Sequence, residues 1–305
     1  MSGEGEPRYE RKTLKLNMGV KEGSIKVDSC IYCGTKNTLT KEHTIPKGLW
    51  GTNVILDGSC KHCATLTSKV ELLALKHSLD RAREYLGATS RHSKKRGTWN
   101  GKTNLENERG ENFALPIASV AQFALFPSFP YLPRGLSLEQ EREKHQRHDL
   151  MIIPLNKAQD LAASGAWGPA FKIDPHVWAR FIAKVAYSEY IRVFDTNFRS
   201  EKISNFILHG DADKSFFVGG RSGGPKVLYM HNVSFSAFAR EGGGFAIVSY
   251  VRLLTFAGSP SYLVYLDDIP YGESVPDELP RVTNWNIQSN VWPSYPNDVS
   301  LSDFP

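Results

Sequence analysis

Only four of the 305 residues are cysteine. That is too few for a disulfide-stapled scaffold, so the four thiols serve as one group or as two pairs. No apolar run approaches the roughly 20 residues that span a bilayer. The opening stretch, Met1–Pro7, is small and acidic, without the basic-then-apolar order of a secretory leader. The expectation is a soluble, cytoplasmic protein with no membrane contact. The glycine pairs Gly219-Gly220 and Gly223-Gly224 and the triplet Gly242–Gly244 match no nucleotide-binding spacing and read as hairpin turns. No segment repeats. What remains is a globular composition, 41% hydrophobic, long enough for one large or two ordinary domains.

The cysteines fall into two Cys-x-x-Cys knuckles, Cys30/Cys33 and Cys60/Cys63, separated by 26 residues. One tight turn can present two thiolates, and two such turns complete a tetrahedral zinc site. Two disulfides are the competing reading. Short Cys-x-x-Cys pairs in a cytosolic chain favour the metal. The long gap loops out a segment that holds Glu42 and His43. A carboxylate is a hard oxygen ligand suited to magnesium or manganese, and a near-neutral imidazole can take a proton from water. Adjacent strand residues face opposite ways, so the two side chains can serve different partners.

Cys-Ile-Tyr-Cys, Glu-His-Thr-Ile-Pro, Cys-Lys-His-Cys and a following helix, over about residues 28–72, resemble the HNH endonucleases with the ββα-metal fold. The resemblance implies a structural zinc on Cys30, Cys33, Cys60 and Cys63, His43 as general base, and Glu42 as a ligand of a catalytic Mg2+ or Mn2+. It also implies an endonuclease acting on nucleic acid, DNA rather than RNA, in bacterial defence or restriction. Ala64 departs from the pattern, because four-cysteine enzymes of this kind commonly place an Asn ligand there. Three readings stay open: another group such as His62, Thr67 or Glu71 holds the metal, the protein is a weak or inactive nuclease that still binds nucleic acid, or Ala64 is an introduced substitution that traps substrate. A purely structural zinc domain in a protein complex is a further alternative.

Charge is unevenly spread. Residues 1–110 carry 20 Lys and Arg against 12 Asp and Glu, a balance of +8, while the remainder carries 17 against 20. A basic half suits a phosphate backbone, although a solvated lysine-rich surface has the same composition. Lys94, Lys95 and Arg96, next to Trp99, form a candidate nucleic-acid contact. The equal alternative is a solvated loop.

The pattern along the chain predicts an α+β fold: an N-terminal ββα-metal zinc module (1–110), then a larger domain of helices and antiparallel sheet (111–305) that binds target, a protein partner or a second copy. Strands are expected at Leu39–His43 and Val54–Leu56, with a turn at Asp57-Gly58. Apolar spacing from Leu66 to Ala82 predicts one helix from Thr65 to Tyr85 or Leu86. Residues 136–147 read as a charged helix and Met151–Ile153 as a strand. Asp174-Pro175 should start a helix with one buried stripe, leaving Arg180, Lys184 and Arg192 on a solvated face. Strands are expected at 216–219, 227–236, 245–254 and 262–266, before a proline-rich tail. The run from Val251 to Tyr262 faintly resembles the C-terminal half of uncharacterised bacterial HNH proteins and assigns no residue role.

Overall fold

The structure is a computed structural model. It describes residues 23–86, 88, 102–106, 111–116, 123–130, 132–136, 150–155, 173–194, 198–221, 226, 230–240, 243–272 and 281–282. Lys94, Lys95, Arg96 and the expected helix at 137–147 lie outside them.

The chain is α+β. Strand β1 (Ile25–Lys26) pairs in parallel with β3 (Val54–Cys60), and β3 pairs antiparallel with β2 (Leu39–His43). Helix α1 (Lys61–His77) follows directly and α2 (Asp80–Tyr85) after it. Two antiparallel strand pairs come next, β4 (Lys102–Glu106) with β5 (Asn112–Pro116), and β6 (Phe123–Pro127) with β7 (Leu150–Pro154). Helices α3 (Pro175–Phe194), α4 (Glu201–His209) and α5 (Lys214–Phe217) precede a sheet of β8 (Val218–Arg221), β9 (His231–Ala239), β10 (Phe245–Leu253), β11 (Ser261–Ile269) and β12 (Arg281–Val282). Its strand order is β12-β9-β10-β11-β8, antiparallel except for the β12–β9 edge. Among the described residues, no helix is long and apolar enough to cross a membrane.

Three expectations are corrected. Asp57-Gly58 is not a turn; it lies inside β3, which runs on to Cys60. Asp57 takes a left-handed φ of 57°, and the β2–β3 register shifts between Thr40 and Glu42. An Asp-Gly pair supplies the conformational freedom of a bulge as readily as that of a hairpin turn. Glycine is also required at 58 by space: a Cβ there would stand 2.9 Å from the Cβ atoms of Glu42 and Ile55. The single helix to Tyr85 is instead two. The Ser78 carbonyl, which a continuous helix would spend on residue 82, accepts the Leu125 N–H at 2.9 Å. Packing of β6 therefore ends α1 where the apolar spacing continues. Finally, Phe216 and Phe217 belong to α5, capped by Asp213, whose side chain accepts the Ser215 N–H, so only Val218 onward is strand.

Helix α3 begins as its sequence requires, with Asp174 Oδ1 accepting the His176 N–H at 2.8 Å and Pro175 at the first helical position. It is buried on all sides rather than along one stripe, because α1 covers one flank and the five-stranded sheet the other. Buried side chains from residues 30–82 and from residues 124–266 form one continuous core.

Candidate functional site: a four-cysteine group and a caged lysine

The first knuckle is a turn closed by Gly34 N–H to Cys30 O at 2.9 Å, with Gly34 in the left-handed region at φ 76°. Ile31 N–H donates to Gly58 O at 2.9 Å and fastens the knuckle to the bulge in β3. The second knuckle is the junction of β3 and α1. Cys60 is the N-cap of α1, and its Sγ accepts the Cys63 N–H at 3.4 Å. All four cysteines are free, which sets the disulfide reading aside. Their Sγ atoms lie within 4.8 Å of one another, and Cys33 and Cys60 are 3.7 Å apart. Four sulfurs at about 2.3 Å from one ion stand roughly 3.8 Å apart along a tetrahedron's edge. The group thus fits a metal ion such as zinc. Burial pushes the Cys63 thiol up; at Cys60 burial also pushes up, but the hydrogen bond from the Cys63 N–H and those from the other three cysteine side chains together outweigh it and lower the thiol.

His43 and Glu42 close strand β2, as the sequence predicts, and face opposite ways. His43 is half-buried, with its Nδ1 edge inside the fold. Glu42 is 5% exposed, and its partner is an ammonium. Lys184 of α3 places Nζ 2.8 Å from Glu42 Oε1 and 2.8 Å from Glu71 Oε1 of α1. The same ammonium donates to the backbone carbonyls of His43 and, at 3.3 Å, of Thr44. Tyr32 O–H donates to Glu42 Oε1 at 3.2 Å. One cation among two carboxylates and two carbonyls is the most concentrated charge arrangement in the described core.

The electrostatics follow from that count. Burial disfavours the ammonium, but the Glu42 and Glu71 carboxylates outweigh it and hold Lys184 above the ordinary lysine range. Burial also lifts Glu42 above the usual carboxylate range; Lys184 pulls it back and Glu71 pushes it further up. One positive charge cannot fully balance two negative ones, and the more buried carboxylate carries the deficit.

The next turn of α3 extends the clamp. Glu189 Oε1 accepts the Thr44 hydroxyl at 2.7 Å and the Asn53 amide at 3.1 Å, while Glu189 Oε2 takes Arg192 Nε at 2.7 Å. Lys184 and Ser188 fall on one helix face, and both, with Glu189 beside them, reach the Thr44 segment. The expectation that Lys184 and Arg192 are solvated is therefore wrong: they are 1% and 3% exposed. Charges inside a helix that is apolar all round must be paired, and that signal was available in the sequence.

The other candidates are scattered. His62 is exposed. The Thr67 hydroxyl is spent on the carbonyls of Cys63 and Ala64. Glu71 belongs to Lys184. Ala64 borders an open groove on the outer face of α1, with Thr40, Lys61, Thr65, Ser68, Lys69 and Leu72; His43 is not among its walls. Comparison of the chain with protein families, with curated proteins and with solved structures finds no match.

Proposed function

We propose that the chain is a nucleic-acid phosphodiester hydrolase of the HNH type, with zinc on Cys30, Cys33, Cys60 and Cys63 and His43 as general base. The observation that supports this best is the order hairpin-then-helix, with the four-cysteine group tying the start of α1 to the loop before β2 and His43 at the end of that hairpin. In this reading the imidazole takes a proton from the attacking water, the oxygen of that water bonds to phosphorus, and the P–O bond to the leaving oxygen breaks as solvent protonates it. Zinc would supply only the fold of the two knuckles. Lys61 and Lys69, on the rim of the α1 groove, would meet phosphates by charge.

The catalytic Mg2+ or Mn2+ implied by the resemblance does not fit these residues. Glu42 is committed to Lys184, and Ala64 has no ligand atom. These same two observations favour a second reading, in which the protein binds nucleic acid through the zinc module without cutting it. Incubation of supercoiled plasmid and of single-stranded DNA and RNA with zinc-loaded protein separates the two. Cleavage that falls by roughly a hundredfold or more in His43→Ala, with binding kept, supports hydrolysis. Binding without cleavage supports the second reading, and no binding at all rejects both.

A further inference from the structure

We propose that Lys184 is a resident cation: its ammonium fills an oxygen cage that is otherwise a divalent-metal site, so that the fold carries a latent Mg2+/Mn2+ site masked by its own lysine. Four oxygens from three elements converge on one point. They are Glu42 Oε1 and the His43 carbonyl from β2, the Thr44 carbonyl just after it, and Glu71 Oε1 from α1. Two carboxylates and two carbonyls are the donor set of a hard divalent cation. The ammonium arrives on α3, which packs on α1, at 1% exposure. An ammonium offers three N–H bonds to these four acceptors, so the cage has one acceptor more than its occupant has protons. Its oxygens stand 2.8 Å from nitrogen at the two carboxylates, and binding Mg2+ would require them to close by roughly 0.7 Å. Mn2+ and Ca2+ are larger and demand less.

Two consequences follow for the protein as it exists. Glu42 serves to lock β2 to α3 and is not a metal ligand. Lys184, by holding the His43 carbonyl, is a positioning residue for the imidazole on which the proposed hydrolysis rests. The masked cage is tested without nucleic acid, so it stands or falls apart from that reading.

The experiment is a Mn2+ titration followed by electron paramagnetic resonance of the free ion, on zinc-loaded wild type, Lys184→Ala and Lys184→Ala/Glu71→Gln. The lysine-to-alanine change opens space for the ion with its waters. Lys184→Ala is expected to gain about one Mn2+ site per chain, roughly tenfold or more tighter than any in wild type, and to lose it when Glu71 is also neutralised. Its melting temperature should rise with Mn2+, while that of wild type stays fixed. Wild-type Mn2+ binding that Glu42→Gln abolishes would overturn the proposal, because Glu42 would then already be a ligand. A folded Lys184→Ala that binds no Mn2+ would also overturn it. Should Lys184→Ala fail to fold, refolding in Mn2+ decides: recovery of the helical circular dichroism supports the masked cage, and no recovery refutes it.

Discussion

Replacing Lys184 by Met tests whether the caged ammonium joins the four-cysteine segment to the rest of the core. The substitution keeps the side-chain length and removes the charge. It leaves the Glu42 and Glu71 side chains, 6% and 22% exposed, facing each other with no cation between them. Breaking a buried ion pair by removing one partner costs about 3–5 kcal/mol, whereas replacing the whole set by neutral groups is often near neutral. At this chain length 1 kcal/mol moves the melting temperature by about 2 °C, so Lys184→Met should melt roughly 6–10 °C lower at pH 7.5. The triple variant Lys184→Met/Glu42→Gln/Glu71→Gln should recover most of that. The pH dependence gives the sign. A carboxyl whose folded pKa lies above its unfolded value disfavours the fold at high pH, and the penalty is relieved as pH falls through the folded value. Glu42 is already raised, and loss of Lys184 raises it further. The deficit of Lys184→Met should therefore shrink between pH 8 and pH 5.5. Scanning calorimetry on the three proteins at both pH values decides. A loss under about 1 kcal/mol, or one that does not change with pH, refutes the reasoning.

The purified protein should carry about one zinc per chain by elemental analysis, and Cys63→Ser should lose both the zinc and the near-ultraviolet signal of the Tyr32–Tyr187 pair, whose rings are 5.9 Å apart behind the knuckle; two intact disulfides in a mass spectrum would end that reading. His231 bridges the N-terminal segment to the sheet, with Nε2 2.7 Å from Leu49 O and Nδ1 accepting the Leu254 N–H at 3.3 Å. Burial pushes its pKa down to about 4, so it contributes stability above the unfolded value near 6.5, and this is lost as pH falls towards 4. The loss is at most about 3 kcal/mol, and His231→Gln should flatten the acid limb of a melting-temperature profile; an unchanged limb excludes His231 as its source. Gly58→Ala should cost about 1–3 kcal/mol, because the new methyl group meets the Glu42 and Ile55 Cβ atoms at 2.9 Å, and unfolding within 0.5 kcal/mol of wild type would show that the bulge yields.

Local signals were legible where local chemistry decides the outcome. The Asp174-Pro175 helix start is fixed by capping and the geometry of proline, the strand at Leu39–His43 is expected from the resemblance to the ββα hairpin, and both stand where they are expected. The knuckles were readable because Cys-x-x-Cys keeps two thiols close together, whether on a turn, as at Cys30–Cys33, or on a helix start, as at Cys60–Cys63. Illegible were the features set by partners distant in sequence. The end of α1 depends on a strand 47 residues away, through the Leu125 N–H to the Ser78 carbonyl. The fate of Glu42 depends on Lys184, 142 residues further on. A Glu-His pair beside cysteine knuckles suggests a metal ligand and a base only as long as nothing else in the fold claims the carboxylate.

That dependence bears on how the molecule is built. A buried ion cluster is weak evidence for stability, since well-packed apolar groups hold a core as well, but it is demanding about register. If α3 slid by one residue, Lys184 would leave two carboxylates unpaired, and Glu189 would lose the Thr44 hydroxyl and the Asn53 amide. Each of these contacts ends on the stretch from Glu42 to Asn53 or on α1, the elements that carry His43 and the four-cysteine group. The cluster therefore fixes how the N-terminal hairpin sits on the central helix, and the position of His43 is set by α3 as much as by the cysteine knot. The four-cysteine group holds one end of the hairpin and Lys184 the other, so a variant that keeps the cysteines but lacks the lysine should retain the knuckles and misplace the imidazole.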